Sequence, residues 1–394
     1  MREVAIIGAG STQFGRAQWS LLKMMCEASH EAMTDAGIGD RPVDAVVVAN
    51  MGAARNNRTA GLASALVDRL NLFPAAAETV ENGPASGATA VKAGFMAVAS
   101  GVHDLVLVCG GERMREVNNF EATEFVSYLS HRYAEYPYGV TLPALAGMFA
   151  RLYMDRYGVT PAHLAMVAIK NHANGVLNPK AHLRVGLTME GLLTGPDAAM
   201  NNPFVAEPLR FFDCCPVSDG ASAVLLAPVA MAKQFKKTPV RIAGIGQATD
   251  LHTVHERPDP TELPAVRLAA EKAFGMAGLK PKDIDVAELH DAFTILEIAE
   301  SEEVGFFPKG EGHKALERGE TQIGGKLPIN PSGGLKARGH PVGNTGVSQI
   351  VELVLQLRNE AGDYQVPGKP KHGFAVNFGG FGNNVVATVL ARGV

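Results

Sequence analysis

Apolar residues in this chain fall into short runs, and helical spacing takes over between them. Val4–Ile7, Val43–Val48, Leu105–Val108 and Ala221–Ala227 are strand-length runs. Between them the spacing predicts a helix over about Gln18–Ala36 and a second, built from small residues, from Pro84 to about Ala99. The second half repeats the order. It predicts strand Val240–Ile245, helix Pro264–Ala277, strand Val286–Leu289, a helix from about Thr345 to Arg358, and strands Gly373–Asn377 and Val385–Leu390. Continuous apolar strands that alternate with helices imply sheets covered on both faces. The repeated order implies an internal duplication, with a seam near Ala232–Pro239 that divides the chain into residues 1–231 and 232–394.

The alternation fails between Gly111 and about Phe212. This stretch carries Tyr128, His131, Tyr133, Tyr136 and Tyr138, then Lys170-Asn-His-Ala-Asn-Gly175. Long insertions in compact domains are usually functional, so residues 112–212 are expected to form a loop domain over a ligand.

Composition narrows the class. A chain of 394 residues, 46% of them hydrophobic, can build two cores. A formal charge of −4 argues against a general nucleic-acid binder. No apolar run is long enough to cross a bilayer. Met1-Arg-Glu-Val-Ala-Ile-Ile-Gly8 enters a strand without a leader pattern, and Ala391-Arg-Gly-Val394 is not a peroxisomal address. Cys26, Cys109, Cys214 and Cys215 show no metal-ligand spacing. A reducing cytoplasm is the expected compartment.

Four segments carry candidate chemistry. Asn330-Pro-Ser-Gly-Gly-Leu-Lys-Ala-Arg-Gly-His340-Pro-Val-Gly-Asn-Thr-Gly346 places His340 in a glycine-rich turn just before a helix. An imidazole there can exchange protons near neutrality. Leu289-His290-Asp291-Ala292-Phe293 closes a buried strand, where α/β folds place ligands. Taken alone, His290 reads more readily as a structural histidine; its pairing with His340 makes the site reading the stronger. Val376-Asn377-Phe378-Gly379-Gly380-Phe381-Gly382 runs from a strand into a turn whose N–H groups can face an oxyanion. Glu81-Asn82-Gly83-Pro84-Ala85-Ser86-Gly87 opens the small-residue helix. The nucleotide-binding and hydrolase patterns G-x-G-x-x-G, P-loop, H-E-x-x-H, C-x-x-C and G-x-S-x-G are not met.

Together these segments resemble the thiolases, specifically the bacterial and archaeal sterol-carrier-protein type. The His340 turn matches GHPxGxTG, His290 matches HDxF, and Asn377-Phe-Gly-Gly380 stands where many thiolases have CxGG. The resemblance covers essentially the whole chain. It implies a duplicated α/β fold of two βαβαβαββ halves in a five-layered αβαβα arrangement, with the loop domain covering acyl-CoA. It implies a C–C bond made or broken beside a thioester, with coenzyme A as substrate or product and no permanently bound cofactor. His340 would do acid/base work and share in an oxyanion hole, His290 would hold the thioester oxygen, Asn377 would occupy the proton-shuttling position, and Gly379 and Gly380 would line the acyl pocket. A homodimer or dimer of dimers is implied, and a small OB-fold and zinc-ribbon protein is a partner used by such relatives.

The sequence departs from the family where it matters most. The nucleophilic cysteine of C-A-S-G is Pro84 here, which has neither thiol nor N–H. Ser86 is a substitute nucleophile in principle, although a residue so near a helix start more often caps it. Ala292 and Asn377 stand at two further positions where relatives carry cysteine. Claisen chemistry without an acyl-cysteine, a retro-aldol on a 3-hydroxyacyl-CoA, and a non-catalytic acyl-CoA-binding subunit all stay open at this point.

Overall fold

A computed structural model describes residues 1–393. The first half runs β1 (Val4–Ser11), α1 (Leu21–Ala36), β2 (Ala45–Ala49), α2 (Leu62–Leu70), β3 (Ala76–Val80), α3 (Ser86–Ser100), β4 (Val106–Arg113) and β5 (Asp219–Pro228). Between β4 and β5 lie α4 (Asn119–Ser127), α5 (Leu142–Tyr157), α6 (Pro161–Leu177) and a small hairpin pairing Phe204–Ala206 with Leu209–Arg210. The second half runs β6 (Val240–Thr249), α7 (Pro264–Ala277), β7 (Val286–Glu288), α8 (Thr294–Glu303), α9 (Gly312–Glu317), α10 (Thr345–Arg358), β8 (His372–Gly379) and β9 (Asn384–Arg392).

The strand order is β3-β2-β4-β5-β1 followed by β6-β9-β8-β7. The two ladders meet at β1 and β6, where Ala5 pairs with Arg241 and Ile6 with Val240. Each half has the same plan. β2 pairs in parallel with β3 and β4, and β7 pairs in parallel with β8. A lone parallel bridge from Ala287 to Ile329 stands beside β7 where β3 stands beside β2. This is the duplication predicted from the apolar runs.

Packing separates the layers. α1 covers β1, β5 and β4 from one side, and α7 covers β6 and β9. α3 and α10 pack on each other and on strands of both halves, so they form the middle layer. One apolar core joins Ile6, Val91, Phe95, Val347, Ile350 and Leu390. The inner helices cross at glycines: a Cβ on Gly346 would lie 2.1 Å from Ala88 N, and one on Gly87 would lie 2.5 Å from Gly346 N. No side chain fits either position, so this crossing requires glycine.

α1 starts and stops on sequence signals. Ser20 accepts a hydrogen bond from Lys23 N–H, and Gly37 ends the helix at φ +67°. Three differences from the sequence reading have simple causes. α3 begins at Ser86, two residues after Pro84, because Asn82–Ala85 closes as a turn with Ala85 N–H on Asn82 O at 3.1 Å. The insertion is largely helical, with α5 capped by Thr141 and ended by Gly158. β3 carries no apolar run, since Ala76-Ala-Glu-Thr-Val80 is mostly exposed at the sheet edge.

Candidate functional site

The inner helices begin at the same place. Pro84 and Ala85 lead into α3, and His340–Asn344 lead into α10. A mainly apolar cavity of about 130 Å³ lies there, lined among others by Pro84, Cys215, His290, His340, Gly380 and Phe381.

Each histidine is held by a local device. His290 follows β7, and its backbone N–H donates to Glu300 Oε2 on α8 at 2.8 Å. The next residue, Asp291, accepts from Leu335 N–H at 2.7 Å and Lys336 N–H at 3.3 Å, so it anchors the single helical turn Gly334–Ala337 ahead of His340. His340 N–H donates to Ser218 Oγ at 3.3 Å, and its Nδ1 lies 2.7 Å from Thr345 Oγ1. The imidazole centroids are 5.0 Å apart at 88°, and His290 stacks on Phe378 at 5.6 Å.

Burial sets the protonation of both rings. It pushes His340 down to about 3, with the buried Arg338 guanidinium adding to the effect. It holds His290 well below the usual imidazole range, with His340 and Arg338 contributing less. Both rings are therefore neutral at neutral pH. The turn before α10 is tied to the first half through Glu112. This fully buried carboxylate accepts from Met51 N–H at 2.9 Å, Gly52 N–H at 3.0 Å, Asn50 Nδ2 at 3.0 Å and Gly343 N–H at 3.1 Å.

The structure brings Pro84, His290, His340 and Gly380 to one cavity. It places three other expected residues differently. Asn377 does not line the cavity: its Oδ1 accepts from Ala88 N–H at 3.1 Å and its Nδ2 lies 3.3 Å from His290 Nδ1. Gly379 packs against the turn before α3; a Cβ there would meet Asn384 O at 2.9 Å and Ala85 Cβ at 3.1 Å. The Ser86 hydroxyl is fully buried, donates to Gly83 O at 2.6 Å and accepts from Asn82 N–H at 2.7 Å. Its one hydroxyl hydrogen is committed to the turn and it does not line the cavity, so it is not poised as a nucleophile.

Two residues of the site went unnoticed in the sequence. Cys214 and Cys215 lie on no motif turn, yet both reach the cavity wall. Cys215 N–H donates to Ala292 O at 2.9 Å, which sews this segment to the His290 turn. The available signal was Ser218, three residues on, which binds His340. Burial pushes the Cys215 thiol up to about 12 and Cys214 higher still, so neither is a ready thiolate. Among the described residues no cluster of His, Cys, Asp and Glu is arranged to hold a metal ion, and no helix is long and apolar enough to cross a membrane.

A layered, duplicated α/β fold with two neutral histidines converging where its inner helices begin points to the thiolase class. Residues 4–230 match the family model described as thiolase, N-terminal domain, and residues 246–392 match the thiolase C-terminal domain-like model. The chain is 43% identical to the acetyl-CoA acetyltransferase of Methanothermobacter thermautotrophicus over 394 residues, covering 100% of each. It is 33% identical to sterol carrier protein 2 of Gallus gallus over 407 residues, covering 100% of this chain and 72% of that protein. Among solved structures, the Ltp2-ChsH2(DUF35) aldolase aligns with a TM-score of 0.84 at 27% identity, over 99% of this chain and 98% of that one. The chain belongs to the thiolase family and is an acyltransferase of the thiolase type.

Proposed function

We propose that this protein makes or breaks a C–C bond beside an acyl-CoA thioester, by thiolysis of a 3-oxoacyl-CoA or its reverse, without an acyl group on residue 84. The observation that supports this is the pair of buried neutral imidazoles facing a cavity that Pro84 also lines. The chemistry passes through an enolate of one acyl-CoA. A donor on its oxygen and a base for its proton suffice for that step. With no thiol at position 84, coenzyme A attacks the 3-oxo carbon directly. Coenzyme A is then substrate and product, and no resident cofactor is needed.

The test is turnover on two substrates. Acetoacetyl-CoA with CoA should give two acetyl-CoA by mass spectrometry. A specific observation favours a second reading: the aldolase neighbour matches over nearly the full chain. Cleavage of a 3-hydroxyacyl-CoA to an aldehyde, with acetoacetyl-CoA untouched, would establish that reading instead. Binding without turnover of either would mark a non-catalytic subunit.

The edge strand β3 presents Ala76, Ala77, Glu78 and Thr79 to solvent and pairs on one side only. An unpaired edge is an aggregation hazard, so it is expected to pair with a second copy. Light scattering at micromolar concentration should give at least a dimer; a monomer would count against it. The Ltp2-ChsH2(DUF35) aldolase carries a second component in its name. For this chain, a small OB-fold and zinc-ribbon protein is the accessory partner to seek in a pull-down.

A further inference from the structure

We propose that Asn377 is a positioning residue that makes His290 the oxyanion donor and, with Thr345 acting on His340, leaves His340 as the base. The argument is one of hydrogen-bond capacity. Ala88 is the third residue of α3, and its N–H is one of the helix-start donors without a partner inside the helix. Asn377 Oδ1 accepts it at 3.1 Å. That fixes which way the amide points. The end left facing His290 Nδ1, at 3.3 Å, is the NH₂ group, which can only donate. His290 Nδ1 must therefore accept, and the ring proton sits on Nε2.

His340 is held the opposite way. Thr345 Oγ1 lies 3.2 Å from Pro341 O and 2.7 Å from His340 Nδ1. With a single hydroxyl hydrogen it can bond to both only by donating to the carbonyl, which can only accept, and accepting from Nδ1. The proton of His340 sits on Nδ1, and Nε2 carries a lone pair. In both rings the Nδ1 edge is taken by the protein, and the Nε2 edge is left for a ligand. Two like residues thus serve opposite roles, one donor and one acceptor.

This assignment deepens the acyl-CoA reading above and rests on it for the identity of the substrate. In thiolysis, His340 Nε2 takes the S–H proton of CoA as sulfur attacks the 3-oxo carbon. The C2–C3 bond breaks, and its electron pair becomes the enolate of the departing acetyl-CoA. The His290 Nε2–H donates to that enolate oxygen. The proton on His340 then returns to C2, and both rings regain their starting state.

Asn377→Asp separates positioning from structure. One Asp oxygen can still accept from Ala88 N–H, but the other faces Nδ1 as an acceptor and draws the proton there. The cavity edge of His290 then loses its donor, and kcat/KM at pH 8 should fall on the order of 10²-fold. As pH falls toward 5, part of the activity should return, because a second ring proton restores Nε2–H beside the new carboxylate. His340 when protonated and Arg338 oppose that proton; the new carboxylate favours it, and Glu300 meets only the backbone N–H. Asn377→Leu should lose activity with no recovery at low pH. Equal loss in both variants at every pH, or an Asn377→Asp enzyme with wild-type rate and profile, would overturn the proposal. Histidine-selective ¹⁵N NMR of the wild-type protein decides the matter without turnover, with folded His290→Gln and His340→Gln variants assigning the signals. His290 should show a bare Nδ1 and His340 a protonated one; any other pairing overturns the assignment. Because this readout needs no substrate, the assignment stands or falls separately from the acyl-CoA proposal.

Discussion

Replacing His340 with alanine is expected to lower kcat/KM on the order of 10²-fold or more while leaving acyl-CoA bound. The imidazole lines the cavity beside Pro84, and under the tautomer proposed above its Nε2 offers a base's lone pair there. Its removal takes away a proton acceptor and leaves Thr345 to find water. The two halves should stay docked, because the Glu112 clamp on Gly343 does not involve the imidazole. A variant that binds acyl-CoA with near wild-type affinity and still turns over within several-fold of wild type would remove His340 from the chemistry. The pH profile gives a second check. Burial holds His340 down to about 3, so the acid limb of kcat/KM should not begin near the ordinary imidazole value of about 6.5. The same depression has a stability sign. The native ring stays neutral while the unfolded one binds a proton below about 6.5, so the His340 contribution to native stability declines as pH falls from there toward 3. Buried Glu112, Glu288 and Asp291, pushed up to about 7, 8 and 7, contribute with the opposite sign, so the difference between wild-type and His340→Ala denaturant midpoints at pH 7 and pH 5 is what reads it.

Much of the fold was legible because a buried strand or an amphipathic helix writes its own period. Pro264–Ala277 and Thr345–Arg358 were readable to the residue. β3 was not, because an exposed edge strand needs no apolar run. α8 was legible as a helix, but not as a buried one. It carries Glu297, Glu300, Glu302 and Glu303 inside the molecule, and their partners come from other segments. Lys170 meets Glu297 at 2.7 Å, Lys309 meets Glu303 at 2.6 Å, and Gly310 and Gly312 donate to Glu302. No local pattern announces such pairing. The site divides the same way. His290 and His340 sit in motifs with several fixed neighbours, so their convergence was foreseeable. The roles of Asn377 and Ser86 depend on which backbone N–H each side chain reaches, which spacing does not reveal. Cys214 and Cys215 reach the cavity through a pairing with Ala292 and Phe293 that only the folded chain makes.

Pro84→Cys is expected to give back what the site lacks. The position lines the cavity, two residues before α3, where the helix start favours a thiolate. The substitution adds a thiol and also an N–H, the second donor an oxyanion could use. The turn should tolerate it, because Ala85 N–H to Asn82 O and Ser86 Oγ to Gly83 O hold the turn without residue 84. The wild-type protein incubated with acyl-CoA should show no added mass, and iodoacetamide should leave its activity intact. The variant should gain one acyl group and become alkylation-sensitive. The rival nucleophile is Cys215, which shares the cavity wall, although burial pushes its thiol up to about 12 and leaves almost no thiolate at neutral pH. A stoichiometric acyl adduct mapped to Cys215 or Cys214 in the wild-type protein would overturn the cysteine-free reading and restore two-step acyl transfer through a different thiol. An adduct on neither, combined with a Pro84→Cys variant that is folded but inert to both reagents, would mean the cavity has been reshaped for another reaction. A variant that traps the acyl group would show that the two histidines still surround a thiolase-shaped site and that Pro84 is what keeps this chain from forming an acyl-enzyme.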